Sequence, residues 1–220
     1  MNKRNYQKEL DKIIDRLERE KRVPTLFLHS CCAPCSSYVL EYLSRYFAIT
    51  VFYYNPNISP SFEYETRVKE QERLTEEMNE EFKGDEKRHG IRFLKGEYHP
   101  EVFYEAVKGL EQEPEGGKRC TECFRLRLYE AARLAKEGGY DFFTTTLTIS
   151  PLKDADRLNA IGEAAAEEYE VSWLNSDFKK RDGYKRSTEL SAEHKLYRQN
   201  YCGCVFSKQN SRLDIGRNLL

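Results

Sequence analysis

Between Thr25 and Tyr54 the chain lays out the beginning of a fold. Thr25 to His29 (TLFLH) is a short apolar run suited to a strand buried on both faces. Ser36 to Tyr46 follows with Val39, Leu40 and Leu43 at helical spacing, and Ala48 to Tyr54 (AITVFYY) is a second β-rich run, closed by Asn55-Pro56-Asn57. Strand, tight loop, helix and strand in so short a span make a βαβ unit, which commits the chain to parallel pairing with a crossover helix.

The remaining pattern extends the same architecture. Residues 4 to about 21 predict a leading helix with Leu10, Ile13, Ile14 and Leu17 on one face, ended by Pro24. Tyr64 to about Phe82 predicts a long charged helix with a mainly solvated face, Ile91 to Leu94 a third strand, and Glu101 to Leu110 a further helix. Glu111 to Gly117 (EQEPEGG) has loop composition, and Cys123 to Glu137 predicts a helix stopped by Gly138-Gly139. Phe142 to Ile149 is a β-branched run ended by Ser150-Pro151, Asp154 to Glu168 another helix, and Val171 to Leu174 a last strand, before a polar and aromatic tail from Asp177. The expectation is an α/β fold, Rossmann-like: an N-terminal helix (1–23) ahead of one domain (24–220), built on an open, mostly parallel sheet flanked by helices. In such sheets ligands bind beyond the carboxyl ends of the strands, where the first cysteines stand.

The 36 basic residues nearly balance the 37 acidic ones, so any nucleic-acid contact must come from a local patch. No apolar stretch approaches the roughly 18 residues that span a bilayer, and the charged N-terminal segment lacks a secretory apolar core. The expected location is cytoplasmic, with no membrane partner. Seven cysteines in a reducing compartment do not suggest disulfides. They form three clusters, Cys31/Cys32/Cys35, Cys120/Cys123 and Cys202/Cys204, as ligands converging on one place would.

Three chemistries compete for them. Cys32-Ala-Pro-Cys35 at a helix N-terminus suits a dithiol oxidoreductase, because the helix dipole stabilises a thiolate; that leaves five cysteines, Cys31 among them, without a role. Cys120-Thr-Glu-Cys123 with Cys202-Gly-Cys204 offers the four ligands of a structural zinc site, as in a zinc-stabilised nucleic-acid-binding module. An iron–sulfur cluster also takes four thiolates, and seven thiols leave three for a second metal. Spacing alone keeps zinc and iron–sulfur both open, with the excess of thiols favouring iron.

HSCCAPCSSYV, YYNPNISP with EYETR, KRCTECFRLRL, FTTTLTISPLKDADRLNAIG, SDFKKRDGY and LYRQNYCGC, in this order from about Leu26 to Ser207, together resemble the QueH family of epoxyqueuosine reductases. The resemblance implies a HUP-type α/β domain in which HSCCAPCSS occupies the place of a relative's phosphate-binding loop. It implies reduction of epoxyqueuosine to queuosine at the wobble position of tRNA, without cobalamin. It also implies a [4Fe–4S] cluster beside a mononuclear iron, with zinc as a possible substitute, sharing Cys31, Cys32, Cys35, Cys120, Cys123, Cys202 and Cys204. An external one-electron donor of ferredoxin or flavodoxin type would feed the site.

Removing an epoxide oxygen takes two electrons and two protons, so a proton donor is required. His29, Tyr54, Tyr197 and Tyr201 are candidates by nearness to the cysteine motifs, although His29 ends a buried strand and one of Tyr53 and Tyr54 must face the core. Asp177 is the candidate carboxylate to complete the iron site. Asn55, Asn57, Ser150 and Lys153 are candidate substrate contacts, and Arg67 is placed to reach the site; turn chemistry also explains the two asparagines, and helix capping Ser150 and Lys153. Lys179, Lys180, Arg181, Lys185 and Arg186, interleaved with Phe178 and Tyr184, and then Arg198, form a basic and aromatic segment suited to RNA phosphates and unpaired bases.

Overall fold

A computed structural model describes residues 4–199 and 201–208. Helix α1 (Tyr6–Glu20) opens on Asn5, whose side chain accepts the Lys8 N–H, and ends at Lys21 in the left-handed region. Leu10, Ile14 and Leu17 enter the main core. Then come β1 (Thr25–His29), α2 (Ala33–Leu43), β2 (Ala48–Tyr53), α3 (Ser61–Glu81), β3 (Ile91–Lys95), α4 (Pro100–Ala106) and α5 (Lys118–Glu137). Strand β4 (Phe142–Thr145), a 3-10 turn (Thr146–Ile149), α6 (Ala155–Tyr169), β5 (Ser172–Trp173) and α7 (Gly183–Glu193) complete the order.

The strands form one sheet in the order β3-β2-β1-β4-β5, and every pair is parallel. Strand β1 is central, flanked by β2 and β4, and is buried along Leu26–His29, as expected for a strand covered on both faces. The order reverses between β1 and β4, so their carboxyl ends open the crevice typical of Rossmann-like sheets. One core lies beneath α1 and α2; a second joins Phe27, Phe52, Phe143 and Trp173 to Leu128, Ala131 and Ala135 of α5. Gly162 on α6 is required by the second: a Cβ there would lie 2.3 Å from the Trp173 ring.

Several boundaries differ from the sequence reading, four of them near the cysteines or in the tail. Helix α2 begins at Ala33, inside the cysteine motif, with Cys32 as its N-cap and Pro34 in its first turn. Helix α5 begins at Lys118, so Cys120 and Cys123 both lie in its opening turns. The run from Phe142 is a strand only to Thr145, because the Thr145 hydroxyl accepts the Leu147 N–H and starts a tight turn. The tail after Asp177 contains α7, which packs on α2 through the Arg186–Glu41 ion pair. Helix α3 is not mainly solvated: it buries Glu63, Arg67, Gln71 and Thr75 as a polar stripe at four-residue spacing. No described helix is long and apolar enough to cross a membrane.

Candidate metal and active site

The loop after β1 crosses directly to β4. The Cys31 N–H donates to Thr146 Oγ1 across 3.2 Å, and that hydroxyl lies 3.5 Å from Cys31 Sγ. Beneath the loop, Ser30 and Ser36 both donate to Gln71 Oε1 at 2.7 Å, fixing α2 against α3. This framework draws Cys31, Cys32 and Cys35 into a group whose sulfurs all lie within 4.8 Å of one another. The α2 N-terminus supports negative charge there. The three sulfurs share charge unevenly: hydrogen bonds from Cys32 and Cys35 pull Cys31 well below an ordinary thiol, while Cys32 is pushed up to about 12 and Cys35 well above its usual value, chiefly by bonding to Cys31.

This group opens on a cavity of about 500 Å³. Leu147, Ile149, Ser150, Leu152 and Lys153 line it together with Tyr184, Ser187, Arg198, Tyr201 and Cys202. The remaining cysteines form a second group. Cys120, Cys123, Cys202 and Cys204 line a smaller neighbouring cavity with Asn57, Phe103 and Phe124. Glu115, Cys202 and Ser207 line both cavities, so they form a common wall. In that wall the Cys202 N–H donates to Ser207 Oγ, and Ser207 Oγ donates to Glu115 Oε2, each at 3.1 Å.

The Cys202–Cys204 turn depends on the glycine between them. Gly203 has φ of +117°, and a Cβ would meet Ile58 at 2.9 Å and Arg67 at 3.0 Å. The Arg67 guanidinium donates to the Cys202 carbonyl and to Glu63, and lies over the Tyr201 ring at 5.2 Å.

The second donor set fits an anionic metal–thiolate group. Burial pushes Cys123 up to about 12 and Cys204 up to about 11, so these sulfurs require a cation to become ligands. Backbone N–H groups already point at two of them: Gly116 to Cys120 Sγ at 3.2 Å and Ser207 to Cys204 Sγ at 3.4 Å. Beside them the fully buried Arg127 leaves one guanidinium nitrogen, Nη2, without a partner. Cys31, Cys32 and Cys35 are close enough to share one ion. Among the described residues no other three cysteine, histidine or carboxylate ligands stand as close.

Several sequence candidates stand on these walls. Tyr201, Ser150, Lys153 and Arg198 line the large cavity, and Asn57 lines the small one. Burial alone would lower the Lys153 pKa, but the pull of the Cys202, Cys31 and Cys35 sulfurs outweighs it and leaves the ammonium above its ordinary value. Burial and the Glu63 carboxylate raise the Tyr201 phenol, against the opposing pull of Arg67.

Other candidates are engaged elsewhere. His29 is fully buried, with Nδ1 on Thr145 Oγ1 and Nε2 on the Tyr54 carbonyl; burial lowers its pKa to about 3, so it is neutral and holds strand ends together. Tyr54 stacks on Phe52 in the core, and Tyr197 donates to Glu63. Asn55 donates to the Ser30 carbonyl and accepts from Arg127, so both ends of its amide are used within the protein. Asp177 pairs with Lys179, Arg181 with Asp11, Arg186 with Glu41, and Phe178 is buried. Lys180, Lys185 and Tyr184 remain exposed.

Glu115, Ser207 and Arg127 were absent from the sequence candidates. Arg127 was detectable as the residue four beyond Cys123 on one helix face; Glu115 sits in a loop with no pattern to mark it.

The family profile described as epoxyqueuosine reductase QueH matches residues 26–210. A protein of Staphylococcus epidermidis named epoxyqueuosine reductase QueH is 44% identical over 213 residues, covering 96% of this chain and 87% of its own length. Proteins of the same name from Haemophilus influenzae and Thermotoga maritima are 39% and 35% identical, over 93% and 83% of this chain and 81% and 90% of their own.

Proposed function

This chain belongs to the QueH family of epoxyqueuosine reductases, and we propose that it reduces epoxyqueuosine to queuosine in tRNA through two metal groups divided between its two sets of cysteines. Cys120, Cys123, Cys202 and Cys204 hold a [4Fe–4S] cluster; Cys31, Cys32 and Cys35 hold a single iron. The observation that carries this reading is the shared wall: the close triad lies on a cavity large enough for a modified nucleobase, and the four-thiol group stands behind the same Cys202. When bound, the cluster supplies single electrons from an external ferredoxin- or flavodoxin-type donor, and the iron supplies Lewis acidity at the epoxide.

The protein's own groups do the rest. Opening the epoxide and expelling its oxygen as water leaves an alkene and consumes two electrons and two protons. The Lys153 ammonium on the cavity wall offers fixed positive charge where negative charge develops on that oxygen. Tyr201 holds a phenolic proton at Oη on the lining of the same cavity, and Glu115 presents a carboxylate in the shared wall, oriented by Ser207. Leu147 and Ile149 supply an apolar, buried part of the lining that limits water around the reacting carbon.

The cavity's rim takes the RNA. Tyr184, 43% exposed on the lining, offers a ring on which an unpaired anticodon base stacks, and Leu152, 85% exposed, offers apolar contact beside it. Lys180 and Lys185 flank Tyr184 in sequence and remain exposed for phosphates, whereas Lys179 and Arg181 serve internal ion pairs. The test is turnover: anaerobic protein, epoxyqueuosine-containing tRNA and a chemical reductant, with mass analysis of the nucleosides. Conversion to a nucleoside lighter by one oxygen supports the proposal, and unchanged substrate with iron-loaded protein refutes it.

A further inference from the structure

Arg127 lies at 1% exposure on the face of α5 that carries Cys120 and Cys123. Among the described residues no carboxylate pairs with it. Its Nε donates to the Cys123 carbonyl at 3.0 Å and its Nη1 to Asn55 Oδ1 at 3.2 Å, while Nη2 has no partner. Asn55 in turn donates to the Ser30 carbonyl at 2.8 Å, one residue before the first cysteine triad. The guanidinium is thus anchored at both ends of the site, to α5 and to the β1 loop. Burial works against its charge, and the sulfurs of Cys123, Cys202, Cys31 and Cys120, drawn from both cysteine groups, favour it when ionised.

A buried cation with only neutral partners costs several kcal/mol. Arg119, also buried, differs because its Nη1 converges on the Leu110, Glu111 and Glu113 carbonyls; both guanidinium groups lie over a ring, Arg119 over Phe206 at 4.6 Å and Arg127 over Phe124 at 5.6 Å. Lys153 faces the substrate cavity. Arg127 has no carboxylate partner among the described residues and lines neither of the two cysteine cavities.

We propose that Arg127, held by Asn55, is a positioning charge: the fixed counter-cation shared by the two thiolate groups, which makes the iron–sulfur cluster easier to reduce. The proposal rests on the metal assignment above. Reduction adds one negative charge to the cluster, and a cation held in a poorly screened interior favours the more negative state. Asn55 keeps that cation in register with the triad loop, so one charge acts on both groups.

The experiment is a spectroelectrochemical titration of the full-length, anaerobically reconstituted protein as wild type, Arg127→Lys and Arg127→Gln. In Arg127→Gln the equilibrium constant for cluster reduction is expected to fall about tenfold, or about 59 mV for a one-electron couple; Arg127→Lys, which keeps the charge, is expected to stay near wild type. Loss of the cluster in Arg127→Gln with retention in Arg127→Lys also supports the proposal, since charge is what the two variants do not share. A Gln variant whose cluster reduces within about threefold of wild type overturns it. Loss of the cluster in both variants overturns it too, by making Arg127 a folding residue. Wild-type protein that takes up no cluster overturns this proposal and the metal assignment together, which separates the two failures.

Discussion

Arg67 Nη1 donates to the carbonyl of Cys202 across 3.3 Å, which ties helix α3 to the turn bearing the last two cysteines. The same guanidinium pairs with buried Glu63. Replacing Arg67 with Ala leaves that buried carboxylate without its counter-charge, with only the Tyr197 hydroxyl donating to it, and frees the turn, so we expect a loss of about 3–5 kcal/mol in urea unfolding and reduced iron retention. Arg67→Lys restores the charge without the fork and is expected to fall between.

Asp141 gives an acid-side signature. Burial raises its pKa, but the Thr25 N–H and hydroxyl and the Arg22 guanidinium outweigh that effect and leave the carboxyl below its ordinary value. A carboxylate depressed in the folded state contributes stability that is present above the unfolded pKa of about 3.9 and is lost as pH falls through the folded value. Asp141→Asn is expected to cost about 1–3 kcal/mol at neutral pH. Urea midpoints between pH 6 and pH 3 should show the gap to wild type closing toward acid.

Gly162 sits where a methyl group would overlap Trp173, whose Nε1 is held by Asn159 at 3.0 Å. The indole is not a flexible side-chain end, so Gly162→Ala is expected to destabilise the protein by about 1–3 kcal/mol. The expected thermal melt is lower, with KM for tRNA unchanged because α6 lies behind the sheet edge and not on the cavity.

RNA binding separates the basic residues into two classes. Lys180→Ala and Lys185→Ala are expected to weaken tRNA binding and to shrink the slope of log K against log salt by about 0.7 per lost single-strand phosphate contact. Tyr184→Ala is expected to remove about 1–3 kcal/mol of stacking. Arg181→Ala and Arg186→Ala break the pairs with Asp11 and Glu41 and should change stability more than the salt slope. Fluorescence anisotropy over a salt series distinguishes the two classes.

The sheet was legible because its strands are written as apolar runs. Thr25–His29 has the predicted bounds, and Ala48–Tyr53 ends one residue short of them. What escaped was structure carried by polar residues. Helix α3 hides a buried stripe of Glu63, Arg67, Gln71 and Thr75, which hydrophobic periodicity cannot register. Helix α7 buries Gly183, Ser187, Leu190 and Ser191, mostly small residues that read as a polar tail.

The seven cysteines were legible, as were Tyr201, Ser150, Lys153, Arg198 and Asn57 as candidates that line the cavities, but their arrangement was not. The division of the cysteines into a close group of three and a group of four depends on which strand ends and helix starts meet, and no spacing within one motif encodes that. The basic run shows the same limit: Arg181 and Arg186 find partners 170 and 145 residues away, so their availability to RNA could not be read locally.

The division of the cysteines is tested most directly by iron and acid-labile sulfide per chain in anaerobically reconstituted wild type, Cys31→Ser and Cys120→Ser. A cluster plus a single ion predicts about five irons and four sulfides in the wild type. Cys31→Ser is expected to keep about four of each, whereas Cys120→Ser loses the sulfide. Equal loss of sulfide in both variants, or wild type holding zinc alone after iron reconstitution, would contradict the assignment of Cys120, Cys123, Cys202 and Cys204 to the cluster.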